Sequence, residues 1–249
     1  MPPFLSVIIP ARNEESRLPR ALGQVFAFLE KQTYSYEVLV VENGSQDRTL
    51  AIAREFTEYF PGLRILHEDL PGKGRAVRRG VMEAEGNYRL IADADFSMPV
   101  DQINRFLPPA CTTDIAIASR EAPGATRFNE PGFRHLTGRV YNFWIRWLVL
   151  PGLQDTQCGF KCFRAGVAKD IFPLETLTGW SFDVELLAIA IHHNYSICEI
   201  GIPWYYNPGS KINVLHDSWR MFLDLLQIRR NLRRGVYDAL PSSPLSERL

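Results

Sequence analysis

The sequence is short of the features that would staple, span or polarise it. It has four cysteines in 249 residues, and only Cys158 and Cys162 stand close together. No histidine–cysteine cluster of zinc-site spacing accompanies them. All four lie in apolar or strand-like stretches, the setting of buried thiols in a reducing compartment. No apolar run approaches the ~20 residues needed to cross a bilayer. Met1-Pro2-Pro3-Phe4-Leu5 enters a strand-like run with no basic region before it, unlike a signal peptide. The expectation is a protein that is soluble or rests on a membrane surface, and a cytoplasmic one. Neither sign of charge is in excess: 28 Lys and Arg against 28 Asp and Glu give a formal net charge of zero. Duplex nucleic acid is bound chiefly through phosphate neutralisation, which favours a basic excess. Nucleic acid is therefore not an expected partner.

What is present is a globular balance, 46% hydrophobic, 22% charged and 12% aromatic, in a chain long enough to bury well over half of its unfolded surface. Phe4 to Ile9 reads as a buried strand closed by Pro10, and Ser16 to Lys31 as a helix with Leu18, Leu22, Val25, Phe26 and Leu29 on one face. Strands are then expected at Glu37–Val41, Leu63–Leu66, Tyr88–Ala92 and Asp114–Ala118, with helices at Asp47–Tyr59 and Gly74–Glu85. Alternating β and α segments with near-continuous apolar strands argue for an α/β fold with a mostly parallel sheet and helices on both faces. With no linker or repeat to divide it, the chain reads as a single domain over residues 1–235, followed by a C-terminal tail at 236–249.

In such sheets ligands bind beyond the carboxyl ends of the strands. Pro10 to Glu14, Glu42 to Ser45 and Asp93-Ala94-Asp95 all fall there. Two carboxylates one residue apart repel unless a cation neutralises them. Oxygen donors of this kind suit Mg²⁺ or Mn²⁺ bridged to substrate phosphates.

The combination of Ser6-Val7-Ile8-Ile9-Pro10-Ala11-Arg12-Asn13-Glu14-Glu15, Val40-Val41-Glu42-Asn43-Gly44-Ser45 with Asp47 and Thr49, and Asp93-Ala94-Asp95 resembles the inverting family-2 glycosyltransferases of GT-A (Rossmann-like) fold. Asp155 to Lys161, Trp180 to Leu187 and Gly209 to Val214 look like the dolichyl-phosphate sugar synthases, closer to the β-glucosyltransferase branch than to the mannose branch. The resemblance runs from Ser6 to Arg230. It implies that Pro10, Ala11, Asn13 and Glu14 line a nucleotide pocket, Glu14 near the base or ribose. It places Asp93 and Ala94 beside the nucleotide sugar, and Asp95, with Asp93, on the metal. Gln157 and the segment from Trp180 through Asp183 to Glu185 would face the sugar and acceptor, while Arg120, Arg134 and Lys211 match basic positions that handle phosphates. Glu42 and Asn43 stand where the family usually has two aspartates; Glu42 can still accept hydroxyl hydrogen bonds.

Other features carry less. Gly72-Lys73-Gly74 lacks the spacing of a phosphate loop and reads as a tight turn ahead of a helix, with Lys73 near the donor. The five histidines show no ligand spacing. Val140 to Leu150 is strongly aromatic, either a core helix or an amphipathic helix in a bilayer interface. Arg229, Arg230, Arg233 and Arg234 end a helical stretch that either touches anionic headgroups or is simply solvated.

The resemblance implies metal-dependent, inverting transfer of glucose from UDP-glucose to a polyprenyl (dolichyl-type) phosphate, by a protein peripheral on the cytoplasmic membrane face. Asp183 is the best-placed candidate base. The rival expectations are a GDP-mannose-dependent synthase of the sister branch, a family-2 transferase acting on a saccharide hydroxyl, a non-catalytic nucleotide-sugar binding module and a nucleotidyltransferase.

Overall fold

The computed structural model describes residues 1–207 and 214–240, with the side chains of 133, 134, 136 and 214–218 excepted. Its framework is set by strands apolar on both faces. β1 (Leu5–Ala11) and β2 (Tyr36–Glu42) pair in parallel, and Leu5, Val7, Ile8, Ile9 and Val38 to Val41 are fully buried. Because side chains alternate across a strand, Leu5, Val7, Ile9, Val38 and Val40 join one apolar layer, and Ile8, Leu39 and Val41 the other. α1 (Leu18–Leu29) closes the first layer with Leu18, Leu22, Val25, Phe26 and Leu29, the stripe expected from its spacing. The second layer is closed by α3 (Lys73–Glu83), α5 (Ala165–Ile171) and α6 (Phe182–His192). α2 (Thr49–Thr57) follows β2 and contributes Ala53 to the first layer.

β3 (Leu63–His67), β4 (Tyr88–Ile91), β5 (Ile115–Ser119), β7 (Lys161–Arg164) and β8 (Ile197–Gly201) complete a seven-stranded sheet of order β3-β2-β1-β4-β7-β5-β8. β7 runs antiparallel between β4 and β5, and the other pairings are parallel. A small second sheet joins β6 (Thr126–Phe128) to β9 (Pro203–Tyr205). α4 (Gly132–Leu148) and α7 (Val214–Arg233) pack together outside the second layer.

Two expectations change. Pro10 does not close β1, which continues to Ala11. The β4 pairing ends at Ile8↔Ile91, and alternation turns Pro10 toward that vacated side, so its missing N–H costs no ladder bond. The boundary at residue 235 also falls inside packed structure. Gly235 turns the chain with φ +68°, and Tyr237 is fully buried with its hydroxyl 2.6 Å from Glu185 Oε1. Residues 241–249 lie outside the described residues.

Gly80 sets how closely α3 approaches the sheet. A Cβ there would overlap Ile8 Cγ2 and lie 2.7 Å from Val41 Cγ2. Gly80→Ala gains about 1 kcal/mol of helix propensity but overpacks a rigid wall at about 1–3 kcal/mol. We expect a net loss of roughly 1 kcal/mol, read as a lower urea midpoint with an unchanged slope.

Candidate active site

Where β1, β2 and β4 end, three loops meet. The first two are laced together by side chains capping each other's backbone. Asn13, held at φ +52°, accepts from Gln46 N–H at 2.8 Å through Oδ1, and its own N–H donates to Ser45 Oγ at 3.0 Å. Glu14 N–H donates to Thr49 Oγ1 at 2.7 Å, and the Glu14 carboxylate pairs with Arg17 Nε at 2.6 Å. The Asp47 carboxyl is held below the usual range: burial works against this, but the hydroxyl and amide of Thr49 prevail. Pro10 and Ala11 form the strand end beneath this lacing.

Glu42 and Asn43 occupy themselves differently from the expectation. Glu42 is 1% exposed; it accepts from Ser45 N–H, and its other oxygen lies 2.5 Å from His67 Nδ1, its cross-strand partner. His67 Nε2 in turn lies 2.9 Å from Asp69 Oδ1. Glutamate's extra methylene lets it span to β3. Asn43 donates both amide hydrogens, to Glu68 O at 3.0 Å and Leu70 O at 2.6 Å, and accepts from Gly72 N–H at 2.9 Å. A carboxylate can donate neither bond. This leaves Asn43 no donor for a nucleotide; it shapes the loop that delivers Lys73.

At the end of β4, Phe96 takes φ +43° and donates its N–H to Asp93 O, while Ser97 N–H donates to Asp95 Oδ1, both at 3.1 Å. Lys73 Nζ lies 2.6 Å from Asp93 Oδ1 and 5.6 Å from the centre of the Trp180 ring. Burial disfavours the Lys73 ammonium, but Asp93 and Asp183 more than offset this and push its pKa up. A Cβ at Gly159 would coincide with the Asp93 carboxylate, so only glycine admits this approach. Ala94 is buried between the two acids. Asp183, in the first turn of α6, is buried and pairs with Lys161 Nζ at 3.0 Å; Lys161 also donates to Cys158 O at 2.6 Å. Burial still raises the Asp183 pKa despite Lys161 and Lys73. Asp95 is raised as well, by burial and by Asp93.

Arg120 is corrected. Its guanidinium grips the fully buried Asp155 through Nε at 2.6 Å and Nη2 at 2.9 Å, its backbone N–H reaches the same carboxylate, and Trp204 covers it at 5.4 Å. Asp155 falls to about 2: burial opposes this, and Arg120 overrides it. Nε and one Nη2 hydrogen, two of the five donors of the planar fork, are committed to this structural pair. Gln157 is half-buried, its N–H 3.2 Å from Asp155 Oδ1. Arg134 starts α4 with its side chain outside the described set, and Lys211 lies outside the described residues.

Residues 6–172 match the family model described as "Glycosyl transferase family 2". The chain belongs to glycosyl transferase family 2. Among its relatives, the dolichyl-phosphate beta-glucosyltransferase of Dictyostelium discoideum is 31% identical, covering 94% of this chain and 76% of that protein. The proteins of the same name from Drosophila melanogaster and Homo sapiens are 34% and 32% identical, over 90% and 94% of this chain and 74% and 77% of theirs. In fold, the chain matches glucosyl-3-phosphoglycerate synthase from Mycobacterium tuberculosis bound to UDP, with a TM-score of 0.68 at 16% identity, over 92% of this chain and 80% of that one. The same enzyme with Mn²⁺, UDP-glucose and phosphoglyceric acid also superimposes with a TM-score of 0.68. The family's GT-A architecture is thus the one the strand pattern implies.

The residues present fit the divalent ion seen in that neighbour. Asp95 is a mostly buried carboxylate whose nearest ammonium, Lys73, is already bonded to Asp93. Among the described residues no three His, Cys, Asp or Glu side chains form a group that could hold a metal ion by themselves. The chain therefore offers a hard, two-carboxylate site that a diphosphate would complete. Asp95 would be the principal protein ligand, with Asp93 shared with Lys73.

Gly159 and Lys161 shape the site, by admitting the Asp93 carboxylate and by pairing with Asp183, and sequence reasoning named them only as parts of a motif. A glycine two residues before a lysine at the head of a strand was the available signal.

Asp95 also yields a test. Its pKa is raised on folding, so its contribution to stability is complete below the ordinary aspartate range and is lost as pH rises through the folded value. Asp95→Asn cannot ionise. We expect it to raise the melting temperature of metal-free protein near neutral pH, the gain vanishing toward about pH 3. The same change should remove the rise that Mn²⁺ induces in the parent, about 3 kcal/mol at ~100 Kd. An undiminished Mn²⁺ response in Asp95→Asn would place the ion elsewhere.

Proposed function

We propose that this enzyme transfers glucose from UDP-glucose to a polyprenyl phosphate of dolichyl type, with inversion at the anomeric carbon. The observation that carries the donor half is the uncompensated Asp95 beside the Lys73–Asp93 pair, a place made for a diphosphate with its cation. The acceptor half draws support from relatives named dolichyl-phosphate beta-glucosyltransferase at 31% and 34% identity over nine-tenths of the chain or more. UDP-glucose is favoured because the fold neighbour binds it together with Mn²⁺. The proposed setting is the cytoplasmic face of a membrane, where a water-soluble donor meets a lipid acceptor.

In this reading a phosphate oxygen of the acceptor attacks the anomeric carbon as the bond to the donor diphosphate breaks and UDP departs. Bound at Asp95, the ion would act as a Lewis acid toward the departing diphosphate. Lys73, half-buried and fixed by Asp93 and Trp180, adds a second positive charge without reorganisation. A hydroxyl acceptor needs a base. A monoalkyl phosphate does not, since its second pKa is near ~6 and it is largely dianionic at neutral pH. Asp183, locked to Lys161, then acts in positioning.

A panel of UDP-glucose, GDP-mannose and other nucleotide sugars, incubated with a short-chain polyprenyl phosphate and Mg²⁺ or Mn²⁺, tests this by the mass of the lipid product. We expect a hexosyl lipid from UDP-glucose and free UDP. Preference for GDP-mannose would move the enzyme to the mannose branch, and release of pyrophosphate would make it a nucleotidyltransferase.

Asp183→Asn separates positioning from proton removal. We expect kcat to fall about 10–100-fold with the acid limb of the pH–rate profile unchanged. Loss of that limb in the variant would make Asp183 a true base.

A further inference from the structure

Lys73 stands between two glycines, and both are pressed against the loop that runs from Glu175 to Ser181. Gly72 takes φ +146°, and a Cβ there would lie 2.5 Å from Thr178 O. Gly74 donates its N–H to the same carbonyl at 3.1 Å, and a Cβ on it would lie 2.6 Å from Glu175 Oε1. The loop also carries Trp180, whose ring centre is 5.6 Å from Lys73 Nζ. Where the loop sits therefore decides where Lys73 sits, through the backbone on both sides and through the ring beside it.

The loop is held by Glu185, a wholly buried residue of α6 with Phe182, Leu186 and Leu187 of the second apolar layer around it in sequence. Thr176 N–H and Leu177 N–H reach Oε2 at 3.0 and 2.7 Å, and the hydroxyls of Thr176 and Tyr237 reach Oε1 at 2.5 and 2.6 Å. Asn231 Nδ2 donates to the Tyr237 oxygen at 2.9 Å, which leaves the Tyr237 hydrogen for Glu185. Tyr237 is itself fixed after α7: Gly235 turns the chain, His193 Nε2 lies 2.6 Å from Tyr237 O, and His192 Nε2 lies 2.8 Å from Asp238 Oδ1. An acid buried this deeply is costly unless its oxygens are met, and an apolar side chain of similar volume would fill the layer as well. What the acid adds is a fixed geometry for the loop.

We infer that Glu185 and Tyr237 are positioning residues for transfer. The Tyr237 hydroxyl sets the Glu185 carboxylate, the carboxylate sets the loop, and the loop holds Lys73 toward the departing diphosphate. Neither residue touches a reacting atom. The inference rests on the reading of Lys73 as the cation that faces the donor.

Tyr237→Phe keeps the ring and removes one donor to Oε1, and Thr176→Val removes the other from an exposed position. Each variant is assayed, well below its melting transition, with a short-chain polyprenyl phosphate and UDP-glucose or whichever donor the parent turns over. Rates are taken per nucleotide site, counted by calorimetry with Mn²⁺ and the matching nucleoside diphosphate, so that a loss of folded protein does not enter. We expect kcat per site to fall about 3–10-fold, part of the ~100-fold that a small misplacement can cost. The donor KM should stay within about twofold of the parent. Hydrogen exchange should quicken in peptides covering 72–75 and 174–181 and stay parental in β1 and β2. In a Lys73→Met background, Tyr237→Phe should lower kcat no further, because both changes act through one chain of contacts. Unchanged kcat per site in both variants would overturn the inference. So would parental exchange in the loop, or the same fold loss repeated in Lys73→Met. A parent that turns over a donor other than UDP-glucose would fail the donor reading alone, since the comparison is made on the donor in use.

Discussion

The site rests on a charge imbalance at the end of β4. Three carboxylates, Asp93, Asp95 and Asp183, meet two ammoniums, Lys73 and Lys161, and each ammonium is bonded to one acid. Asp95 is left over, in a position where burial and Asp93 both favour its neutral form. A buried charge without compensation is costly enough that it either takes up a proton or recruits a cation. The fold therefore holds one acid in a state that a divalent ion with an anionic diphosphate would resolve.

That arrangement depends on loops that do not drift. Asn43 anchors the segment before α3 with three hydrogen bonds, and Gly159 lets the backbone of the β7 approach touch Asp93. The departure of Glu42-Asn43 from the family's paired aspartates acquires a physical reason here. A carboxamide supplies the two donors that the carbonyls of Glu68 and Leu70 require, and a glutamate reaches His67 across the ladder. Rigid supports of this sort are what preorganised electrostatics require.

Much of this was legible beforehand, for identifiable reasons. The strands of the first half showed themselves because burial on both faces forces continuous apolar runs, and the acids were found because strand ends are where such sheets bind. The rest was hidden by partners distant in sequence. Arg120 looks like a phosphate ligand until Asp155, thirty-five residues on, is seen in its grip. Pro10 looks like a stop until β4 is seen to end at Ile91. Tyr237 stands just after an arginine-rich helix end, and its burial in the second apolar layer, with its hydroxyl on Glu185 fifty-two residues away, shows only in the fold. Composition marked Val140 to Leu150 as aromatic but left open whether it is a core helix or an amphipathic one.

The inventory of acids around the cleft also bears on the kind of acceptor. Asp93 and Asp183 are neutralised by lysines, and Asp95 awaits an ion. Glu185 is wholly buried and takes hydrogen bonds from Thr176 N–H and Oγ1–H, Leu177 N–H and the Tyr237 hydroxyl. Glu175 is buried with neither oxygen hydrogen-bonded; burial and then Glu185 push its pKa well above the ordinary range, which favours the neutral acid. Each of these five is paired with a lysine, hydrogen-bonded within the protein or favoured as the neutral acid. A transferase that must deprotonate a sugar hydroxyl needs a free, ionised base within reach. One whose acceptor arrives already anionic does not; it needs cations and alignment, and those are what Lys73, Lys161 and the tied loops supply.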